Sequence, residues 1–262
     1  MIAPADLAAR MSNDIEFVTG PHGNRTRALR QIVRGGTGGA GENWSRTQND
    51  LVLMPGSEDQ GDLYVAYWLK LEDDVFERLT ADPWERGARA LVPALLPRRL
   101  EHAMDNPWAA RVLTDWKTGQ GTEGGDYRVI LSIYGDRDAH RLYWNLKGDN
   151  VADGGLPEQI FWEQTNSNVP VPVGRWFRLE VFVHRSGGDD GRVWVAVDGA
   201  TLFDRFGPNI GIHGLPWNRI MPFLNYSTGQ RLPAEQWVDD LEIRDGLPSS
   251  AAAAAVPPGD RP

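Results

Sequence analysis

The chain has no cysteine. Disulfide staples, thiol nucleophiles and thiolate metal sites are therefore excluded. There is also no apolar run long enough to cross a membrane as a helix, and no membrane partner is expected. The first residues, Met1-Ile-Ala-Pro-Ala-Asp6, lack the charged-then-apolar pattern of a secretory leader. The protein is expected to be cytoplasmic, or secreted or periplasmic if a leader has been removed. Positive charge is in deficit: 27 Lys and Arg stand against 36 Asp and Glu, a formal net charge of −9. That balance argues against a nucleic-acid partner, which requires a broad basic field. It leaves room for a local basic groove, which overrides a total. Histidine is scarce at five, and no two have zinc-ligand spacing.

What the chain does have is glycine, 29 residues, and tryptophan, 11 residues. Both suit many short strands, tight turns and a core with large flat rings. A length of 262 residues suits one large sandwich core. The clearest pattern lies at Arg175–Phe203. Phe177, Leu179, Val181 and Val183 alternate with Arg178, Glu180 and His184; Val193, Val195 and Val197 alternate with Trp194, Ala196 and Asp198. Period two over two runs joined by Ser186-Gly-Gly-Asp-Asp190 predicts an antiparallel hairpin with one face buried. Asp198-Gly199 then turns the chain into a further short run.

Strands are also predicted at 14–18, 26–34, 50–54, 62–71, 110–117, 126–134, 140–147, 158–165, 219–227 and 236–243. The pattern changes at Asp73–Pro107, where 73–79 and 98–104 carry helical spacing between prolines. This is an insertion of short helices at about 73–108, too short for its own core. The expected organisation is a single domain over 1–248 and a disordered low-complexity tail over 249–262, rich in Ala and Pro. The glycine-rich run 35–41 has neither a following helix signal nor a Lys-Ser/Thr pair, so it is not a phosphate loop.

A Trp opening a strand, a Gly-led strand closing on Asp-Gly, and the ending Trp237-Val-Asp-Asp-Leu-Glu-Ile243 resemble the late strands of the concanavalin-like (laminin-G-like) jelly-roll sandwiches. The resemblance implies an all-β, antiparallel two-sheet jelly roll. That superfamily includes lectins, carbohydrate-binding modules and polysaccharide lyases, so the fold leaves the activity open. Asp14-Ile-Glu-Phe17 looks like part of the catalytic strand of laminarinase-like glycosidases. The nucleophile position there is Ser12, which removes that reading.

Within the resemblance, Thr26–Arg34 is similar to the Arg-rich strand of alginate lyases, which nominates Arg27 and Gln31 as substrate-binding residues. Asp115-Trp116-Lys117 falls where some of these lyases place a Gln-Trp-His-like run, and Asn225-Tyr226 is a distant echo of their tyrosine motif. A uronate lyase must neutralise a carboxylate, abstract the C5 proton and protonate the leaving oxygen. Lys117, Tyr143, Lys147, Tyr226 and His184 are the catalytic candidates. Arg27, Gln31, Trp116, Asn145, Trp162, Gln164 and Asn225 are the substrate-binding candidates. The superfamily's structural calcium would be held by Asp239 or Asp240 facing Asp14, Asn13 or Glu16, since calcium prefers hard oxygen ligands. The expected partner is a polysaccharide, gripped by a monomer. The alternatives are a non-catalytic carbohydrate-binding module or lectin, and an adhesive module of a larger assembly.

Overall fold

The computed structural model describes residues 10–35, 44–52, 61–81, 110–118, 126–150, 159–211, 214–215, 217–228 and 231–249. At 44–46, 48–52, 218 and 227–228 it describes the backbone alone. The strands, in chain order, are β1 (Met11–Thr19), β2 (Arg25–Val33), β3 (Trp44–Val52), β4 (Asp62–Leu71), β5 (Ala110–Thr118), β6 (Arg128–Asp136) and β7 (Arg141–Asp149). They continue as β8 (Ile160–Asn166), β9 (Trp176–His184), β10 (Arg192–Val197), β11 (Ala200–Phe206), β12 (Trp217–Thr228) and β13 (Ala234–Arg244). One short helix, α1 (Val75–Thr80), follows β4. The second helical stretch read from the sequence, 98–104, lies outside the described residues, as does the tail from 250.

Two antiparallel sheets form a sandwich. The back sheet has the order β1-β2-β13-β4-β9-β10-β11 and the front sheet β3-β12-β5-β6-β7-β8. The alternation read in the sequence is the reason. Val65, Tyr67 and Leu69 of β4 and Phe177, Leu179 and Val181 of β9 point from the back sheet into a core shared with Leu131 of β6 and with Trp144 and Leu146 of β7. Rings cross the layer edge to face: Trp144 meets Phe177 at 6.2 Å, and Tyr67 meets Phe223 at 5.2 Å. Each large apolar side chain buried in this way contributes roughly 1.5–3 kcal/mol.

The hairpin of β9 and β10 pairs Val183 with Val193 and Leu179 with Val197. At the next turn Asp198 and Gly199 have φ of 49° and 78°. Two successive left-handed residues make the tight turn that matches strand twist. The Asp198 carboxylate holds the turn by accepting the Arg178 backbone N–H at 2.8 Å.

Polar groups also bridge the layers. Arg111 of β5 is fully buried and binds the Glu72 carboxylate, which follows β4, and the Glu235 carbonyl of β13 at 3.2 Å. Nearby, Gln236 donates to Gln31 at 2.7 Å, and Asn225 of β12 donates to the Ala234 carbonyl at 2.9 Å.

Candidate functional site

Residues directly opposite on neighbouring strands share a face. Because Trp116, Leu131, Trp144, Leu146 and Ile220 point into the core, the alternate positions of β5, β6, β7 and β12 form the outer face of the front sheet. The register lays that face out in four rows. The first holds Ala110, Tyr134 and Tyr143. The second holds Tyr226, Val112, Ser132, Asn145 and Thr165. The third holds Met221, Asp115, Ile130, Lys147 and Glu163. The fourth holds Arg219, Lys117, Arg128 and Asp149. At the sheet edge, Arg46 of β3 pairs in register with Tyr226.

The charges on this face are interleaved. Lys117 lies 3.2 Å from Asp115, and Lys147 lies 2.8 Å from Asp149. Asp149 is fully buried and also accepts Arg128 Nη2 at 3.1 Å. Asn145 donates to the Glu163 carboxylate at 2.7 Å. Burial pushes the Asp115 carboxyl above its ordinary range, against the downward pull of Lys117 and Arg128. Tyr134 and Tyr143 stack with centroids 5.5 Å apart, and burial raises both phenols, so both stay protonated donors at neutral pH.

This face collects five of the residues nominated from sequence: Lys117, Tyr143, Asn145, Lys147 and Tyr226. The remaining nominees lie elsewhere. Arg27 and Gln31 sit on β2, which belongs to the back sheet. Gln31 is fully buried and donates to the Phe223 carbonyl at 3.3 Å, a structural bolt between layers. Trp116 is buried in the core, edge-on to Trp217 at 6.2 Å. Asn225 is buried on the core side of β12, donating to the Ala234 and Gln31 carbonyls. Trp162 packs against the core and donates to the Tyr127 hydroxyl at 2.5 Å. Gln164 pairs with the core residue Leu146, so it shares the inward side, at an exposed edge.

His184 pairs with Asp62 on the far side of the back sheet, with Nδ1 2.5 Å from Asp62 and Nε2 3.7 Å from Asp190.

The acidic residues nominated for calcium do not converge. Asp14 pairs in register with Arg30, two strands from β13, and Asp240 faces His22 at 3.5 Å. Asn13 accepts from Thr47, and Glu16 accepts from Trp237 at 2.8 Å. Among the described residues no group of three or more His, Asp or Glu could hold a metal ion. Asp14 and Asp240 are thus not brought together, and Asp239 pairs in register with Trp68 of β4.

Five charged outward-facing residues went unnominated: Asp115, Arg128, Asp149, Glu163 and Arg219. Asp115 stood in plain view beside Lys117. Arg128, Asp149 and Glu163 carry a signal only once the register is known. In β8 the parity slips, because the pairing with β7 shifts between Gly148 and Asp149. That shift lets both Phe161 and Trp162 pack on the core.

No family model matches the chain, and no curated protein matches it by sequence. Among solved structures, the endo-β-1,4-glucuronan lyase of the fungus Trichoderma reesei aligns with a TM-score of 0.51 and 12% identity over 88% of this chain and 87% of that one. An alginate lyase aligns with a TM-score of 0.48 and 14% identity, over 83% of this chain and 80% of that one. The carbohydrate recognition domain of Emp46p gives a TM-score of 0.42 and 10% identity, over 94% of each chain. The architecture shared with the glucuronan lyase is the two-sheet antiparallel sandwich. At such identities the likeness is one of fold, and the chemistry rests on the side chains.

Proposed function

We propose that the outer face of the front sheet grips a uronate-containing polysaccharide and cleaves it by β-elimination. The observation that carries this reading is the gathering of Tyr226, Lys117, Tyr143, Lys147 and Asn145 with Arg128 and Arg219 on one face of one sheet. The cations neutralise the C6 carboxylate, which makes the C5 proton more acidic. A base removes that proton, and its electron pair forms the C4–C5 double bond as the C4–O4 bond breaks. The leaving oxygen then takes a proton from an acid. Lys117 and Lys147, each paired with a carboxylate, suit charge neutralisation. Tyr143, held protonated by burial, suits a hydrogen bond to the sugar. Tyr226, facing the strand that carries Arg46, is assigned the proton transfer at C5. The architecture shared with a glucuronan lyase supports this reading.

Incubating the protein with glucuronan, alginate and glycosaminoglycans, while following the ultraviolet absorbance of the unsaturated product, tests it. Absorbance growing on one uronate and not on neutral glucans is the expected result. Retention on a polysaccharide gel with no absorbance on any uronate refutes catalysis. One observation favours that second reading, a non-catalytic binding module: both lysines of the face are tied up in ion pairs with neighbouring carboxylates.

A further inference from the structure

The back sheet is apolar on both faces at β4, β9 and β10. Val65, Val181, Val183, Val193 and Val195 point into the shared core, so Tyr64, Ala66, Phe182, Trp194 and Ala196 on the same strands point outward. An antiparallel sheet commonly leaves that outer face wet and polar. Here all five outward residues are at most 5% exposed. Tyr64, Phe182 and Trp194 form one row, and Ala66 and Ala196 flank Glu180 in the next. The Trp194 indole N–H is buried as well and has no acceptor among the described residues. A cover therefore lies over this face. Among the described residues, the apolar side chain packed against the five is Leu247.

Leu247 belongs to the segment that leaves β13. That strand ends at Arg244, opposite Tyr64; the chain bends at Asp245 and Gly246, and Leu247 already lies on the cluster. Ser249, the last described residue, is helical. The sequence continues as Ser250, five alanines and Val256, before Pro257-Pro258. Serine suits a helix start, alanine is the strongest helix former, and proline stops a helix. Residues 249–256 span about 12 Å as a helix. From β4 to β10 is two strand spacings, about 10 Å. The same residues drawn out as a strand reach about 26 Å and overrun the cluster.

We propose that residues 249–256 dock as a short helix across the outer face of β4, β9 and β10, laying alanines on Tyr64, Phe182 and Trp194. Alanine side chains let the helix come close where Ala66 and Ala196 leave the sheet flat. An alanine helix this short does not hold in water by itself, so the sheet holds it and the helix shields the rings. The last carbonyls of such a helix lack intrahelical donors, and they are acceptors of the kind that Trp194 lacks. The docked segment takes this face out of use as a second binding surface. The assignment is independent of the uronate reading.

The chain has no cysteine, so single thiols placed in the full-length protein test the proposal. Ala251→Cys, Ala252→Cys, Ala253→Cys, Ala254→Cys and Ala255→Cys are each treated with a soluble disulfide reagent, and each rate is compared with that of the same protein unfolded in urea. Thiols three or four positions apart are expected to react at least about tenfold more slowly when folded, and those between them at nearly the unfolded rate. Ala196→Arg plants a charge beneath the helix and is expected to return the slow thiols to the unfolded rate. Ala66→Arg replaces it if thermal melting shows that Ala196→Arg does not fold. Fast reaction at all five positions overturns the proposal. Slow reaction at every second position also overturns it, because that spacing marks a strand. So does protection that survives the arginine, since the segment is then held elsewhere. Fast thiols in a chain that sediments as a dimer assign the cover to a second copy instead.

Discussion

Tyr226 is the residue on which the proposed chemistry turns. Its replacement by phenylalanine removes one hydroxyl and little volume. We expect turnover to fall by about 10²–10⁴-fold, the usual worth of a positioned acid or base. Substrate retention and the melting temperature stay near wild type, and steady-state kinetics beside thermal melting check this.

His184 makes a contrasting prediction, since it lies on the opposite side of the sandwich from that chemistry. Its hydrogen bond to Asp62 is the largest of the effects that raise its pKa, with Asp190 adding to it. A raised folded-state value means that the contact stabilises the protein fully below about 6.5, the ordinary histidine value. That stabilisation is lost as pH rises through the folded value. His184→Gln should therefore cost stability at mildly acidic pH and progressively less above neutrality, with no effect on turnover. Urea midpoints of the two proteins across that range measure it.

At the scale of elements, alternation made most strands legible, including the core faces of β4, β7 and β9. β3 was read too short, at 50–54 instead of 44–52. Its polar first half, Trp44-Ser-Arg-Thr-Gln-Asn49, gives no apolar alternation, and its place is set by pairing with β12, a contact far away in sequence. The same non-locality hid the sheet of β2: nothing in Thr26–Arg34 says that it pairs with β1 and β13. Bulges erased parity where it mattered, between Val112 and Thr114 of β5 and beside Phe161 of β8. The Asp198-Gly199 turn, by contrast, was readable because its chemistry is local. Gly199 has open space where a Cβ would stand but a φ of 78°. Gly199→Ala should therefore cost about 1–2 kcal/mol from left-handed strain alone, read as a lowered urea midpoint with activity intact.

At the scale of the molecule, the total charge and the groove pull in opposite directions. A chain of net charge −9 repels a polyanion at a distance, while under the proposed function Arg219, Lys117, Arg128 and Lys147 attract it at contact. Attraction between partly exposed charges is screened by salt. The screening length falls from roughly 30 Å at 0.01 M to about 8 Å at 0.15 M. Long-range repulsion is screened too. Affinity for a uronate oligosaccharide is expected to pass through a maximum at low to moderate salt and then decline, where a neutral oligosaccharide shows a flat profile. Calorimetry over a salt series distinguishes the two curves.

The Arg111–Glu72 pair shapes the whole body as well. Arg111 is fully buried, so Glu72→Ala leaves a cation in the core without its partner. Breaking a buried pair from one side costs about 3–5 kcal/mol, measured as the loss in unfolding free energy. The double replacement Glu72→Leu with Arg111→Met should recover much of that loss.

This ion pair and the amide seam of Gln31, Gln236 and Asn225 act as rivets driven through both plates of the sandwich. Aliphatic layers slide over one another at little cost, but directional bonds anchored at both ends resist shear. The plates therefore resist scissoring and slipping, and under the proposed function this holds the site's shape when a sugar chain binds. The trough keeps its width, and whatever adjustment a guest requires must come from the tips of lysines and tyrosines.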